Sequence, residues 1–444
     1  MIFRSQRDDD DFDDDDEDDE EEEIDYVLFQ GATNGAEVDL AANARLAQAG
    51  LIPTKELITD ALLRRAERIR LDPKGGRTRI TLYIDGIAYP GGQLSKQQAL
   101  AITQMTKLLS GLDTKERGKP QSGGVKAELQ EIPYQLSVVV DPAGGGAERL
   151  TINIQNLKKI LDTPHDLNFP EEMRTTIREY AAKRQGLILV CGPEYSGVTT
   201  LRRAVMRTVD VYLYACFSLA NLGGRDLPNV TPFEAKEGDD FAASVMRMKR
   251  LEADVIYIDP IKDAARAKEV FAELDKATFV TEASAKDAVH GILQLAEWVG
   301  SLDEVIKHLS LSISVKLIRT LCEDCKEAYR PHPKLLQKIG LPPETKLLYR
   351  PRTPPDEDDP EVTEEDLEPC ETCGDVGYFG RTGMYEMVEM TSELKEYLGT
   401  NPPYAAIKTQ VRKLGMQTTQ KEGLRLVAEG KTSLEELQRV FRGK

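Results

Sequence analysis

The chain has 444 residues, 40% of them hydrophobic, and a formal net charge of −18. That length supports two or three domains with real cores, and no run approaches 18 consecutive apolar residues, so no membrane-spanning helix is expected. The charge is local: fifteen of residues 8–23 are acidic, the remainder is close to neutral, and nothing has the basic footprint of a nucleic-acid binder.

The acidic run repels itself and cannot bury apolar surface, so residues 1–35 are expected to form a disordered tail. It is either a solubilising segment or one that docks on a basic partner. The N-terminus lacks a charged-then-apolar signal pattern; a cytoplasmic chain is expected, touching the inner membrane only through partners.

Residues 36–155 read as a small α+β domain. Helices are expected over 36–70, the second starting after Pro53 and carrying Leu57, Ala61, Leu62 and Ala66 at helical spacing. Ile80, Leu82 and Ile84 alternate with polar residues before an Asp85-Gly86 turn, a hairpin signal. Ser95 and Gln98 form a capping box for a helix with Ala99, Ile102, Met105 and Leu109, ended by Gly111. Strands follow at Gln135–Val140 and Leu150–Ile154.

Over 156–320 the rhythm changes. A helix from Pro170 leads into the apolar run Gly186–Cys191, then a glycine-bearing loop and another helix. Apolar runs at Val255–Ile258 and Thr278–Thr281 each precede a helical pattern. Strands alternating with helices predict a mostly parallel sheet covered on both faces. Residues 331–369 read as a polar insertion, and 387–444 as helices.

The loop Gly192-Pro193-Glu194-Tyr195-Ser196-Gly197-Val198-Thr199-Thr200 has the layout of a phosphate loop, G-x-x-x-x-G-K-[ST]. Gly192 and Gly197 keep the spacing, and Thr199 stands where a hydroxyl meets Mg²⁺. Val198 takes the lysine's place. Backbone N–H groups and the helix N-terminus can still form an anion nest, but the ammonium that reaches the terminal phosphates is gone. A charge-assisted hydrogen bond contributes about 1.5–3 kcal/mol, so ATP affinity falls by at least one to two decades. Two readings stay open: a tight turn that binds nothing, and weak residual nucleotide binding.

Six cysteines include two CxxC pairs, Cys322/Cys325 and Cys370/Cys373, with Cys191 and Cys216 apart. In a cytosolic chain this favours metal over disulfides. Two such loops complete a closed four-thiolate zinc site, structural because no position is left open. It would organise a subdomain over 321–386 that is too small for a core of its own.

Ordered blocks then connect these pieces: YIDG at 83–86, LSGLDTKERGKPQSGG at 109–124, the loop at 192–200, DVIYIDPIKD at 254–263, LCEDCKEAY at 321–329, PCETCGDVGYFGRTGMYEM at 369–387 and GMQTTQKEGLRLVAEGKTSLEEL near the C-terminus. In these the chain resembles the type II secretion and type IV pilus assembly ATPases over about residues 50–444. The resemblance implies a small N-terminal domain on a RecA-like ATPase domain. It also implies a six-subunit ring that drives pilin or pseudopilin assembly at an inner-membrane platform. It assigns Arg117 to the nucleotide phosphates, while Gly118 falls where a second basic residue often follows.

The departures from that family gather on the chemistry. Its Gly-Glu-Ile-Arg-Asp segment matches Asp259-Pro260-Ile261-Lys262-Asp263, so Pro260 replaces the glutamate that readies water. Ser284 replaces the histidine of a further box, and no acidic box is recognisable in 209–236. Asp259, ending an apolar strand, is a candidate to hold Mg²⁺ with Thr199 through water. The leading expectation is a non-hydrolysing structural or regulatory subunit, in a ring with an active paralogue or on the platform. The alternatives are an active or weak motor with Glu194 or Asp263 as substitute acid, and a monomeric module acting through the acidic tail.

Overall fold

A computed structural model describes residues 25–159, 161–222, 225–353 and 368–442; the acidic run read as a disordered tail lies outside them. The chain divides into two units, Met1–Ile160 and Leu161–Lys444.

The first unit contains β1 (Leu28–Ala32), α1 (Ala44–Leu63), β2 (Arg68–Lys74), β3 (Arg77–Ile84), β4 (Ile87–Ser95), α2 (Lys96–Leu109), β5 (Gln121–Leu129), β6 (Ile132–Pro142) and β7 (Glu148–Asn156). Its strands form one sheet in the order β1-β5-β6-β7-β2-β3-β4, antiparallel throughout. Period-two alternation sends Leu136, Val138 and Val140 of β6 and Leu150 and Ile152 of β7 into one core. There they join Ile58 and Ala61 of α1 and Ile102 and Met105 of α2. The expected capping box is present: Gln98 N donates to Ser95 Oγ, and Ser95 N to Gln98 Oε1.

Two expectations need correction. Residues 28–32 are not part of a tail, because β1 pairs with β5 and Val27 before it is fully buried. Nor does Pro53 start a helix; α1 runs through it for 20 residues. A proline removes one ladder hydrogen bond, here the one to the Ala49 carbonyl, while the Thr54 hydroxyl makes a separate bond to the Gly50 carbonyl at 2.6 Å. Helix packing outweighs the remaining cost: at Gly50 a Cβ would lie 2.7 Å from the Ala101 carbonyl oxygen of α2. Beneath the 113–120 loop, Lys107 Nζ meets Glu148 Oε1 at 2.7 Å with 0% and 3% of the side chains exposed, and also donates to the Glu116 carbonyl.

In the second unit come α3 (Glu171–Ala181), β8 (Gly186–Gly192), α4 (Val198–Thr208), β9 (Cys216–Ser218), β10 (Thr231–Pro232), α5 (Phe241–Arg250), β11 (Val255–Tyr257), α6 (Ala264–Phe271), β12 (Thr278–Ser284), α7 (Ala288–Val299), α8 (Leu302–His308) and β13 (Leu309–Leu321). An excursion follows, with β14 (Glu327–Tyr329), α9 (Pro333–Ile339) and β15 (Leu348–Arg350), before β16 (Tyr378–Glu389) returns to the sheet. Four helices finish the chain: α10 (Ser392–Leu398), α11 (Tyr404–Lys413), α12 (Thr419–Ala428) and α13 (Leu434–Arg442). The segment read as a plain polar insertion thus holds a helix and a strand, with β15 paired to β14.

The main sheet has the order β10-β9-β11-β12-β8-β13-β16, parallel except that β16 runs against β13. Every residue of the central β8 is buried. Leu187, Leu189 and Cys191 face a core built with α5 to α8, and Ile188 and Val190 face one built with α3 and α4. That two-sided burial is why β8 reads as a continuous apolar run. Cys191, pushed up to about 12 by burial, is a protonated packing residue.

Candidate functional site

The loop after β8 lies at the carboxyl end of the sheet, where open α/β folds place ligands. Gly197 sits at φ +87° as the N-cap of α4, a conformation that favours glycine. The Ser196 hydroxyl donates to the Pro193 carbonyl at 2.7 Å, and a Cβ on Gly192 would lie 2.5 Å from Ser196 Oγ. The expected strand, loop and helix are therefore all in place.

A cavity of about 660 Å³ opens beside this loop. Residues 192–195 and 197–200 form one wall. Pro260, Ile261 and Lys262 come from the β11–α6 connection, Glu282, Ala283 and Ser284 from the end of β12, and Gln294 and Trp298 from α7. Val198 occupies the first helical position and brings no charge. Ser196 braces the loop from behind rather than lining the cavity.

The polar contacts at Thr199 differ from those the sequence suggested. Its hydroxyl donates to Glu282 Oε1 at 3.1 Å. Arg202, one turn along α4, places Nε 3.1 Å from Glu282 Oε2, with 6% and 14% of the two side chains exposed. The guanidinium also donates to the Ile258 carbonyl at 2.8 Å and lies 4.4 Å from the Tyr257 ring centroid. Asp259, the candidate metal partner, points elsewhere: its Oδ1 accepts from Asn221 N at 3.1 Å, and it does not line the cavity. Asp263 caps α6 by accepting from Arg266 N, whereas Glu194 does line the cavity. Lys262 is exposed there, and among the described residues no carboxylate lies within ion-pair distance of it. Arg117 belongs to the first unit and lines a cleft of about 450 Å³ in that unit with Lys74, Arg77 and Lys96.

Sequence reasoning missed Glu282 and Arg202. Each carries a visible signal: Glu282 is the one charged residue of the strand TFVTEAS, and Arg202 follows Val198 by four residues on the same helix face.

The four cysteines of the CxxC pairs do come together. Their sulfurs all lie within 4.8 Å of one another, with Cys322–Cys370 at 3.8 Å and Cys325–Cys373 at 3.5 Å. A tetrahedral ion with thiolates about 2.3 Å away has sulfur–sulfur edges of about 3.8 Å, so this donor set can hold a metal ion. Burial first, and the neighbouring sulfurs second, push the Cys325 thiol up, whereas the Cys373 backbone N–H pulls Cys370 down. Gly377 N donates to Cys373 Sγ at 3.3 Å, an amide donor that favours thiolate over thiol.

Residues 47–439 match the family of type II/IV secretion system proteins. The chain belongs to this family. Among its relatives, the type IV pilus assembly ATPase PilB of Thermus thermophilus is 26% identical over 392 residues, 86% of this chain but 42% of that protein. The protein transport protein HofB homolog of Escherichia coli is 27% identical over 402 residues, covering 88% and 82%. Type II secretion system protein E of Xanthomonas campestris is 24% identical, covering 86% and 66%. This secretion-family chain therefore spans less than half of the first of these relatives and about two thirds of the last. Among solved structures, the Legionella pneumophila ATPase DotB superposes with a TM-score of 0.54 at 12% identity, covering 89% of this chain and 96% of that one. The fold is accordingly that of the RecA-like P-loop ATPases, α/β with a four-cysteine excursion.

Proposed function

We propose that this chain is a non-hydrolysing member of the secretion and pilus-assembly ATPases, a structural or regulatory subunit of a type II secretion or type IV pilus-like machine. The observation that carries the reading is the cavity wall itself. Val198 stands where a cation is needed, Pro260 where a base is needed, and Ser284 where the family has histidine. Val198 and Pro260 can neither stabilise charge on a transferring phosphoryl group nor orient water, and Ser284 offers a hydroxyl but no group that carries positive charge. Thr199 and the loop N–H groups remain able to meet a phosphate weakly, which leaves ATP and Mg²⁺ as marginal ligands.

In this reading the four cysteines hold zinc in a structural role. The subunit works by shape: it joins a hexameric ring, alone or with hydrolysing family members, and docks through them on the inner-membrane platform protein from the cytoplasmic side. In keeping with that, no helix among the described residues is long and apolar enough to cross a membrane.

A second reading, a weakly active motor, is favoured by Lys262, which lines the same cavity and, among the described residues, has no carboxylate within ion-pair distance. ATP turnover by purified, metal-replete protein decides between them. The non-hydrolysing reading expects turnover at background. Turnover well above background that is abolished in both Thr199→Ala and Lys262→Ala would establish the motor.

A further inference from the structure

We propose that Glu282 determines what this phosphate loop accepts, and that it excludes nucleotide phosphates independently of the missing lysine. The inference rests on the non-hydrolysing reading and names the residue that enforces it.

Glu282 is held in the wall by two side chains of α4, the Thr199 hydroxyl and the Arg202 guanidinium. Arg202 is itself fixed by the Ile258 carbonyl and the face of Tyr257. The carboxylate is therefore a resident anion within hydrogen-bonding distance of the helix's first turn, where a phosphate would seat. In most P-loops a carboxylate near that threonine is offset by Mg²⁺ and by the loop lysine. Here the lysine is absent, and Arg202 is committed and almost fully buried. A polyphosphate entering the cavity meets a fixed like charge at short range, in a setting where charges are screened less than in water. Substituting valine for lysine removes one positive charge; Glu282 ties up the nearest remaining one, the Arg202 guanidinium, and sets its carboxylate beside the same seat. The two changes reinforce each other, so repairing the first alone is insufficient: a lysine at 198 would find Glu282 as its partner before any phosphate.

The test compares wild type, Val198→Lys, Glu282→Gln and the double variant, titrated with MgADP and with pyrophosphate. Trp298, the chain's only tryptophan, lines the cavity and reports binding by fluorescence, with calorimetry as the second measurement. Val198→Lys alone is expected to gain less than about tenfold in affinity, Glu282→Gln alone to gain measurably, and the double variant to gain about a hundredfold or more, as a restored charge-assisted contact allows. Two results would overturn the proposal: Val198→Lys binding within about threefold of the double variant, or Glu282→Gln binding more weakly than wild type, which would make Glu282 a metal partner instead. Because Glu282→Gln leaves Arg202 without its carboxylate and can lower stability, the Val198→Lys arm is also read against wild type alone, and a gain well beyond about tenfold there overturns the proposal. ATP turnover by the wild type is read separately: turnover would count against both readings, since hydrolysis needs the bound nucleotide that Glu282 excludes, whereas tight MgADP binding by the wild type without turnover would overturn this role for Glu282 alone.

Discussion

Removing metal from the four-cysteine cluster should loosen the second unit while leaving the first unchanged. The sulfurs already sit near the edges of a zinc tetrahedron, at 3.5 and 3.8 Å in two pairs, so the apo protein must crowd four thiols or spread them. Spreading them strains the root of the excursion, where Cys322 N donates to the Gly377 carbonyl at 3.1 Å. A ligand present at about a thousand times its Kd stabilises the folded state by about 4 kcal/mol. At roughly 2–4 °C per kcal/mol for a domain of this size, the expected fall in Tm on chelation is on the order of 10 °C. The assay is calorimetry of the full chain before and after a zinc chelator, with metal counted by atomic absorption and thiols counted by alkylation. One zinc per chain, four thiols that become reactive only after chelation, and a Tm restored by added zinc are the expected results. Protein that purifies without metal, and whose Tm and thiol reactivity ignore added zinc, would refute the reasoning. Cys373→Ser should reproduce the chelated state, since a hydroxyl is a poor replacement for a buried thiolate ligand.

Other expectations concern buried charges within each unit. Lys107→Ala or Glu148→Ala alone should destabilise the first unit by about 3–5 kcal/mol, because each strands a buried charge, whereas Lys107→Met with Glu148→Gln should recover most of that; urea unfolding of the three variants checks the pattern. The Asp287 carboxyl is held below the usual carboxylate range. Burial alone would raise it, but the Tyr404 hydroxyl, the His290 N–H and Lys408 outweigh burial. Its contribution is therefore present above the unfolded carboxylate range and lost as pH falls through the depressed folded value. Acid unfolding of the second unit should show a shallower dependence on pH in Asp287→Asn. Asp162, buried and facing Arg203, Arg207 and Arg225, anchors α4 from the side away from the cavity; Asp162→Ala should lower Tm without changing any nucleotide affinity measured at Trp298.

Elements with a local signature were legible in the sequence. The capping box at Ser95, the buried run of β8, the glycine frame of the loop and the cysteine pairs each depend on residues close in sequence, so spacing alone exposes them. What was hidden depends on partners far along the chain. β1 looks like the end of an acidic tail until β5 pairs with it. Pro53 reads as a helix boundary until α2 packs against Gly50. In the cavity, the absent lysine was visible at once, but the carboxylate that faces Thr199 comes from a strand more than eighty residues later. Asp259 was a reasonable metal candidate by its position at a strand end, and only the fold reveals that it is engaged with Asn221.

The path of the cysteine excursion has a further meaning. Leu321 and Tyr378 are register partners in adjacent antiparallel strands, so the polypeptide leaves the main sheet and re-enters it at a single point, as it would in a hairpin with an oversized tip. A metal gripping both roots would fasten the neck of that tip. Changes beyond the neck that spare Leu336, Leu341 and Leu348, which pack with the C-terminal helices, leave strand order undisturbed, which makes this tip the natural place for one member of the family to become distinguishable from its neighbours in a shared assembly.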